Sequence, residues 1–169
     1  GGANDNFWAS TSLVNDWAQN YDSYLYDGIT DSSEYYWCPA DGDTPTWYID
    51  LKSAVNGISL DYWNKAGGAG GQKIRTLDIY VSDLKTDYQT STSSNWVKIA
   101  TFTSDKTTPT TDAGAKVSTD LMKFSEDGSA AYQYVKCVVT SRVSNTGVVN
   151  TETLDVNVGE LNVFTWKFE

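Results

Sequence analysis

The sequence contains no histidine among its 169 residues. This absence excludes the Ser-His-Asp and Cys-His forms of nucleophilic catalysis, because both use an imidazole as the general base. It also excludes every zinc site that depends on imidazole ligands. Hydrolysis of glycosides by a pair of carboxylates needs no histidine, but nothing isolates such a pair among the 22 acidic residues. We therefore predict that the protein is not an enzyme.

Cysteine is also scarce, with only Cys38 and Cys137 in the chain. Their separation is too large for a CxxC redox or zinc motif. Two interpretations remain open: a disulfide in an exported protein, or two small buried apolar residues. Alternation places Cys137 on the apolar face of a predicted strand, which favours the second interpretation for that residue.

Basic residues are few, and the sequence has no long apolar run. Twelve Lys and Arg against 22 Asp and Glu give a net charge of −10, which repels nucleic-acid phosphates and anionic lipid headgroups. No segment approaches the roughly eighteen apolar residues that span a bilayer, and no signal peptide is recognisable. We expect one domain over residues 1–169, excised from a larger exported protein, with neither nucleic acid nor membrane lipid as its partner.

Short segments of alternating polarity, separated by clusters of Gly, Asn, Asp and Ser, recur along the chain. This pattern is typical of an all-β sandwich or barrel. One short helical turn is expected between Asp16 and Tyr26. The residues predicted to face the core are Trp47, Ile49, Leu51, Ile58, Leu60, Tyr62, Leu77, Ile79, Val81, Val97, Ile99, Val135, Cys137, Val139, Leu161 and Val163.

The long polar connections are residues 38–46, 64–73, 103–115 and 141–158, and loops of such length are more often functional than idle. The Gly-rich segment "NKAGGAGGQK" lacks the Lys-Ser or Lys-Thr and the following helix of a phosphate loop. We interpret it as a mobile connection between two strands.

The order of the motifs resembles that of the discoidin, or coagulation factor 5/8 type C, domain over nearly the whole chain. The segments are "LYDGITDSSEYYW", "PTWYIDL", "NGISLDYWN", "IRTLDIYVSD", "NWVKIATF", "YVKCVVT" and "VGELNVF". The chain is most similar to the bacterial branch, the family 32 carbohydrate-binding modules. This resemblance implies an eight-stranded jelly-roll β-sandwich, a structural calcium ion and a shallow sugar site in loops at one end.

The calcium ligands that the resemblance implies are the side chains of Asp27, Ser32 and Glu160 with the carbonyls of Leu25 and Thr30. Asp31 or Ser33 could replace Ser32, because the loop is longer here than in the family pattern. Such a set suits Ca²⁺, which prefers six to eight oxygen ligands. An ordinary Asp-Gly turn is the alternative.

A sugar site needs an exposed aromatic ring with several polar groups converging on it. Trp63 is the first candidate, because it ends its strand on the parity opposite the core residues and precedes the Gly-rich loop. The other candidates are Asn64, Lys65, Lys73, Arg75, Tyr36, Arg142 and Asn145.

We therefore predict a secreted or cell-surface module, a monomer tethered to other domains, that binds galactose-type or other terminal sugars without catalysis. The alternative is an adhesion module of the same fold that binds protein rather than sugar. The sequence does not specify the sugar or the parent protein.

Overall fold

The structure is a computed structural model, and it describes eleven segments of the chain. These are residues 7–9, 14–15, 18–19, 25–30, 37–38, 44–65, 72–85, 93–108, 112–144, 146–152 and 156–168. None of the described segments forms a helix long and apolar enough to cross a membrane.

The described residues form twelve β-strands. They are β1 (Phe7–Ala9), β2 (Val14–Asn15), β3 (Ala18–Gln19), β4 (Thr46–Val55), β5 (Gly57–Asn64), β6 (Lys73–Ser82), β7 (Val97–Thr103), β8 (Lys116–Ser118), β9 (Met122–Lys123), β10 (Tyr132–Val143), β11 (Val149–Asn150) and β12 (Val158–Trp166). Six of the twelve are only two or three residues long, so the architecture depends on the long strands β4, β5, β6, β7, β10 and β12.

Two antiparallel sheets stack into a sandwich. The large sheet has the order β1-β4-β10-β6-β7 with β11 beside β10, and the small sheet has the order β12-β5-β8 with β9 beside β5. Strands β2 and β3 pair separately, and β3 lies within the range where a helical turn was expected. The prediction of an all-β sandwich is confirmed. Of the described residues within the expected helical turn, Ala18 and Gln19 are extended, whereas Leu25 lies in a 3₁₀ turn.

The core lies between the two sheets, where alternation places it. Ile58, Leu60 and Tyr62 of β5 are all fully buried. So are the predicted core residues of β6 and β10, because these strands lie in the interior of the large sheet. Fully burying each such side chain contributes about 1.5–3 kcal/mol to folding.

Strand β7 departs from the predicted pattern. Val97 is 47% exposed, and Ile99 is only partly buried against the core. The reason is position, because β7 lies at an edge of the large sheet and, in the described part of the chain, pairs only with β6. The prediction that Val97 is a core residue is therefore wrong.

A second apolar cluster, which the alternation pattern did not reveal, contains Tyr48, Trp96 and Tyr134, with Tyr80 packed against it. The ammonium group of Lys136 lies 4.6 Å from the centre of the Tyr80 ring and 4.9 Å from that of Trp96. Cation–π attraction of this kind offsets part of the cost of burying the lysine.

Five strands start or finish at the same end of the sandwich, which we call the loop end. Strand β5 finishes there at Asn64, whose partner across the small sheet is Val158 at the start of β12. Strand β10 finishes there at Val143, opposite Lys73 at the start of β6. Strand β8 also starts there, with Lys116 opposite Trp63.

Both cysteines are buried and neither forms a disulfide, which agrees with the second of the two interpretations left open by the sequence. Cys137 is fully buried, and desolvation raises the pKa of its thiol to about 12. A thiol in such a site is present almost entirely in its unreactive protonated form at neutral pH.

We therefore expect neither thiol to react with a thiol reagent in the native protein. Both should react once the chain is unfolded, giving two reactive thiols per molecule. The measurement is a spectrophotometric thiol assay with and without denaturant. Two thiols that stay unreactive in non-reducing denaturant would indicate a disulfide and contradict the structure.

Candidate functional site

The first acidic turn contacts the last strand. Trp37, which follows the turn in the sequence, exchanges two backbone hydrogen bonds with Val158, of 2.7 and 3.0 Å. The amide of Gly28, inside the turn, donates a 3.0 Å hydrogen bond to Oε2 of Glu160. Gly28 has a φ of 83°, which favours glycine at this point of the turn. Residues 132 positions apart in the sequence thus form one small unit.

Glu160 is only 4% exposed, and the side chain of Asp27 lies beside its carboxylate. Burial raises the pKa of Glu160 to about 7, and the neighbouring Asp27 charge contributes in the same direction. The hydrogen bond from Gly28 opposes this rise. Oδ1 of Asp27 itself accepts a 2.8 Å hydrogen bond from the Ile29 amide, which holds the turn closed.

Several backbone carbonyl oxygens lie close to Gly159, the residue before Glu160. A methyl group added at Gly159 would lie 3.8 Å from the carbonyl oxygens of Ile29 and Trp63, and 3.9 Å from that of Thr30. The absence of a side chain at Gly159 therefore leaves room between the turn and the strand. Two carboxylates with several carbonyl oxygens are the donor set that a hard cation such as Ca²⁺ prefers.

Leu25 and Ser32 were also predicted to bind the calcium ion. The side chain of Leu25 is 1% exposed and belongs to the core, which anchors the start of the turn. Ser32 lies outside the described residues, as do Asp31 and Ser33. Among the residues that the structure describes, no three His, Cys, Asp or Glu side chains cluster, so a cation here would depend on carbonyl ligands.

Six of the eight predicted sugar-binding residues are located at the loop end, while Tyr36 and Asn145 lie outside the described residues. The six are Trp63, Asn64, Lys65, Lys73, Arg75 and Arg142. Asn64 and Lys73 are each 1% exposed and Arg142 is 7% exposed. These three support the loops from beneath, and their side chains offer little surface to a ligand.

The loop end is held together by hydrogen bonds between its connections. The Lys65 amide donates to the carbonyl of Asn157, and the Asn157 amide donates to the carbonyl of Gln72. The Asn64 side-chain amide contacts the carbonyl oxygens of Lys106 and Asp112, each at 3.4 Å. These bonds join loops from both sheets into one surface.

Trp63 is half-buried on the outer face of the small sheet. The Lys116 ammonium lies over its ring, 5.3 Å from the ring centre, and forms a 2.5 Å ion pair with Asp61. One face of the ring is therefore partly covered by a neighbouring side chain. This arrangement favours a structural contact over an open sugar platform.

A groove of about 420 Å³ opens between the β6 start, the connection after β7 and the β10–β11 hairpin. The described residues that line it are Arg75, Thr107, Thr108, Val143, Gly147 and Val149. Arg75 is the single predicted sugar-binding residue among them. The others belong to the two long connections whose length indicated a functional role, but no local motif distinguishes them.

No family model and no curated protein matches the chain. Several solved structures do match it in fold. A family 32 carbohydrate-binding module from a family 31 glycoside hydrolase of Clostridium perfringens superposes with a TM-score of 0.62, at 16% identity, over 96% of this chain and 90% of the other. The C-terminal domain of a chitobiase from Bacteroides fragilis superposes with a TM-score of 0.60, at 15% identity, over 98% and 97%.

A third match is a family 32 module of Clostridium perfringens in complex with GalNAc-β-1,3-galactose, with a TM-score of 0.58, 18% identity and coverage of 94% of each chain. At these identities the likeness concerns the fold. The chain has the discoidin-like β-sandwich fold that its sequence motifs predicted.

The raised pKa of Glu160 predicts a pH dependence of stability in the absence of divalent cations. A carboxyl whose folded pKa exceeds its unfolded pKa stabilises the fold when protonated, and this contribution is lost as the pH rises from the usual 4.5 through about 7. With a chelator present, wild type should therefore lose stability relative to Glu160→Gln between about pH 5 and about pH 8. Denaturant unfolding of the two proteins at both pH values measures this difference, and a difference that does not change with pH would contradict the burial of the Glu160 carboxylate.

Proposed function

We propose that the protein is a non-catalytic sugar-binding module that binds its glycan in the groove at the loop end. The observation that carries this proposal is the groove itself, which has a size suited to one or two sugar units and is lined by a guanidinium and two hydroxyls. The solved structures of the same fold add support, since one of them is in complex with a disaccharide.

Two features favour binding over catalysis. Glycoside hydrolysis needs two carboxyl groups flanking the scissile bond, about 5–10 Å apart. The described lining of the groove includes no carboxylate. The neighbouring carboxylates of Asp27 and Glu160 are engaged in the turn, where the Glu160 side chain is almost inaccessible.

We further propose that Ca²⁺ binds between the acidic turn and β12. Asp27 and Glu160 would hold it with the carbonyl oxygens of Thr30 and its neighbours around Gly159. The ion would neutralise two adjacent carboxylates and so stabilise the contact between the turn and the last strand. The role of the ion in this proposal is to stabilise the fold, not to contact the sugar.

A secreted or cell-surface location, attachment to other domains and a monomeric state complete the proposal. A shallow groove of this size gives weak affinity, typically micromolar to millimolar, after the costs of association. Tethering to further binding or catalytic domains raises the effective affinity without any new contact. An adhesion module that binds protein instead is the competing proposal.

Blocking the groove should abolish sugar binding. Val149 is 57% exposed and lines the groove, so Val149→Trp would fill it without disturbing the core. We expect hits on a glycan array for wild type and a loss of at least tenfold in signal for Val149→Trp.

The matched control is Val148→Trp. Val148 is 61% exposed, precedes Val149 directly and does not line the groove. This variant should bind as wild type does. Equal losses in both variants would contradict the assignment of the groove, and the absence of any glycan hit would favour the adhesion module.

Calcium should raise the melting temperature, and a chelator should lower it, because an ion that binds only the folded state stabilises it. Asp27→Ala and Glu160→Gln should remove most of this response. Differential scanning calorimetry with calcium or with a chelator measures it.

Glu126→Gln is the control for the loss of one negative charge, because Glu126 is exposed and distant in the fold from the acidic turn. Its response to calcium should equal that of wild type. A melting temperature that calcium does not change in any of the proteins would exclude the ion from this site.

A further inference from the structure

We propose that the groove selects an acidic sugar, a uronic acid whose carboxylate pairs with Arg75. This inference rests on the proposed sugar-binding function and names the chemical class of the ligand.

The donors of Arg75 support this inference. A guanidinium carries five N–H donors and no acceptor. One of them donates to the backbone carbonyl of Ser104, which fixes the side chain at the groove wall. Within the described part of the chain, Arg75 pairs with no carboxylate. Its remaining donors are therefore available for a planar, bidentate partner, the geometry that a carboxylate supplies.

The groove also lacks the feature that would favour a neutral sugar. Neutral sugars gain much of their affinity by packing a C–H face against an aromatic ring. None of the described lining residues is aromatic. The ring of Trp63 does not line the groove either, and it is partly covered by Lys116. Binding energy here must come mainly from polar contacts, of which a charge-assisted pair is the strongest kind.

The net charge of −10 does not oppose this ligand locally. Two acidic residues, Asp105 and Asp112, lie on the connection that borders the groove, and each is compensated. The Asp105 carboxylate is 3.3 Å from the Lys106 ammonium. Asp112 accepts a 2.5 Å hydrogen bond from the Thr108 amide and interacts electrostatically with buried Lys73. Among the described residues, no ion pair compensates the Arg75 charge in this way, and more distant carboxylates are screened beyond about 8 Å at physiological salt.

The hydroxyl groups provide the rest of the recognition. Thr107 and Thr108 lie on one wall of the groove, and each hydroxyl can donate one hydrogen bond and accept others. Val149, which is 57% exposed, adds apolar surface to the lining. A ring with a carboxylate at one edge and hydroxyls at another matches this distribution.

The test compares matched pairs of trisaccharides by isothermal titration calorimetry. Trisaccharides of galacturonic, glucuronic and mannuronic acid are each set beside the neutral galactose, glucose or mannose trisaccharide of the same linkage, so that a pair differs only at C6. We expect at least one acidic member to bind tenfold or more tightly than its neutral counterpart. Raising the salt from about 0.1 M to about 1 M should weaken that binding at least several-fold, since the Debye length falls from about 10 to about 3 Å.

The variants separate charge from geometry. Arg75→Lys keeps the charge but loses the planar fork, and Arg75→Gln loses both, so affinity for the acidic sugar should fall in the order wild type, Lys, Gln. Lys123→Gln is the control for the loss of one positive charge. Lys123 pairs with Gly57 at the end of β5 away from the loop end, so this variant should bind as wild type does. The comparison of sugars and of salt in wild type stands even if an Arg75 variant folds poorly.

Neutral and acidic trisaccharides that bind equally well, with no effect of salt, would overturn this inference and leave the sugar-binding function standing. Binding of neutral trisaccharides without binding of their acidic counterparts would also overturn the inference and leave the sugar-binding function standing. If neither class binds in any pair, while the protein is folded by its melting curve, both the inference and the proposed function fall.

Discussion

The contact between the acidic turn and the last strand is the constraint on which the rest of the molecule depends. Gly28 donates to Glu160 across almost the whole length of the sequence, and the backbone exchange between Trp37 and Val158 reinforces the contact. Leu25 anchors the turn in the core. Because β12 is an edge strand of the small sheet, this contact covers an edge that would otherwise expose unpaired backbone groups. Burying the Glu160 carboxyl is costly in its charged form, and the cost falls when the group is protonated or, in our proposal, when a cation binds beside it.

The residues of the loop end lie on this framework in two layers. The lower layer contains the buried side chains of Asn64, Lys73 and Arg142; Asn64 contacts backbone carbonyls, and Lys73 interacts electrostatically with Asp112. The upper layer is accessible and consists of Arg75 and the two loops around it, which enclose the groove. A rigid sandwich that presents a variable set of loops can change its ligand without changing its core, so fold and ligand must be argued from different residues.

The sequence predicts the fold much better than the site, and the reason is physical. The alternation of polar and apolar residues predicts burial correctly where a strand has neighbours on both sides, as for Leu77, Ile79 and Val81. It fails for Val97, which lies on an edge strand. The position of Glu160 beside the turn could be inferred only from the resemblance, because nothing local in either segment indicates the other. Trp63 illustrates the same limit, since the residue that covers its ring, Lys116, is distant in the sequence. The groove is formed by loop residues such as Thr107 and Thr108, for which no periodic pattern exists.

Hydrogen exchange at the Gly28 amide tests the central contact most directly, because this amide lies in an exposed turn and its described partner is the Glu160 carboxylate. Its exchange should be slowed well below the rate of an unstructured glycine in the wild type, and should approach that rate in Glu160→Ala. The amide of Gly147, in another turn and bonded to the Ser144 carbonyl, should be unaffected. An unprotected Gly28 amide in wild type would contradict the contact between the turn and the last strand, and with it the account of the cation site.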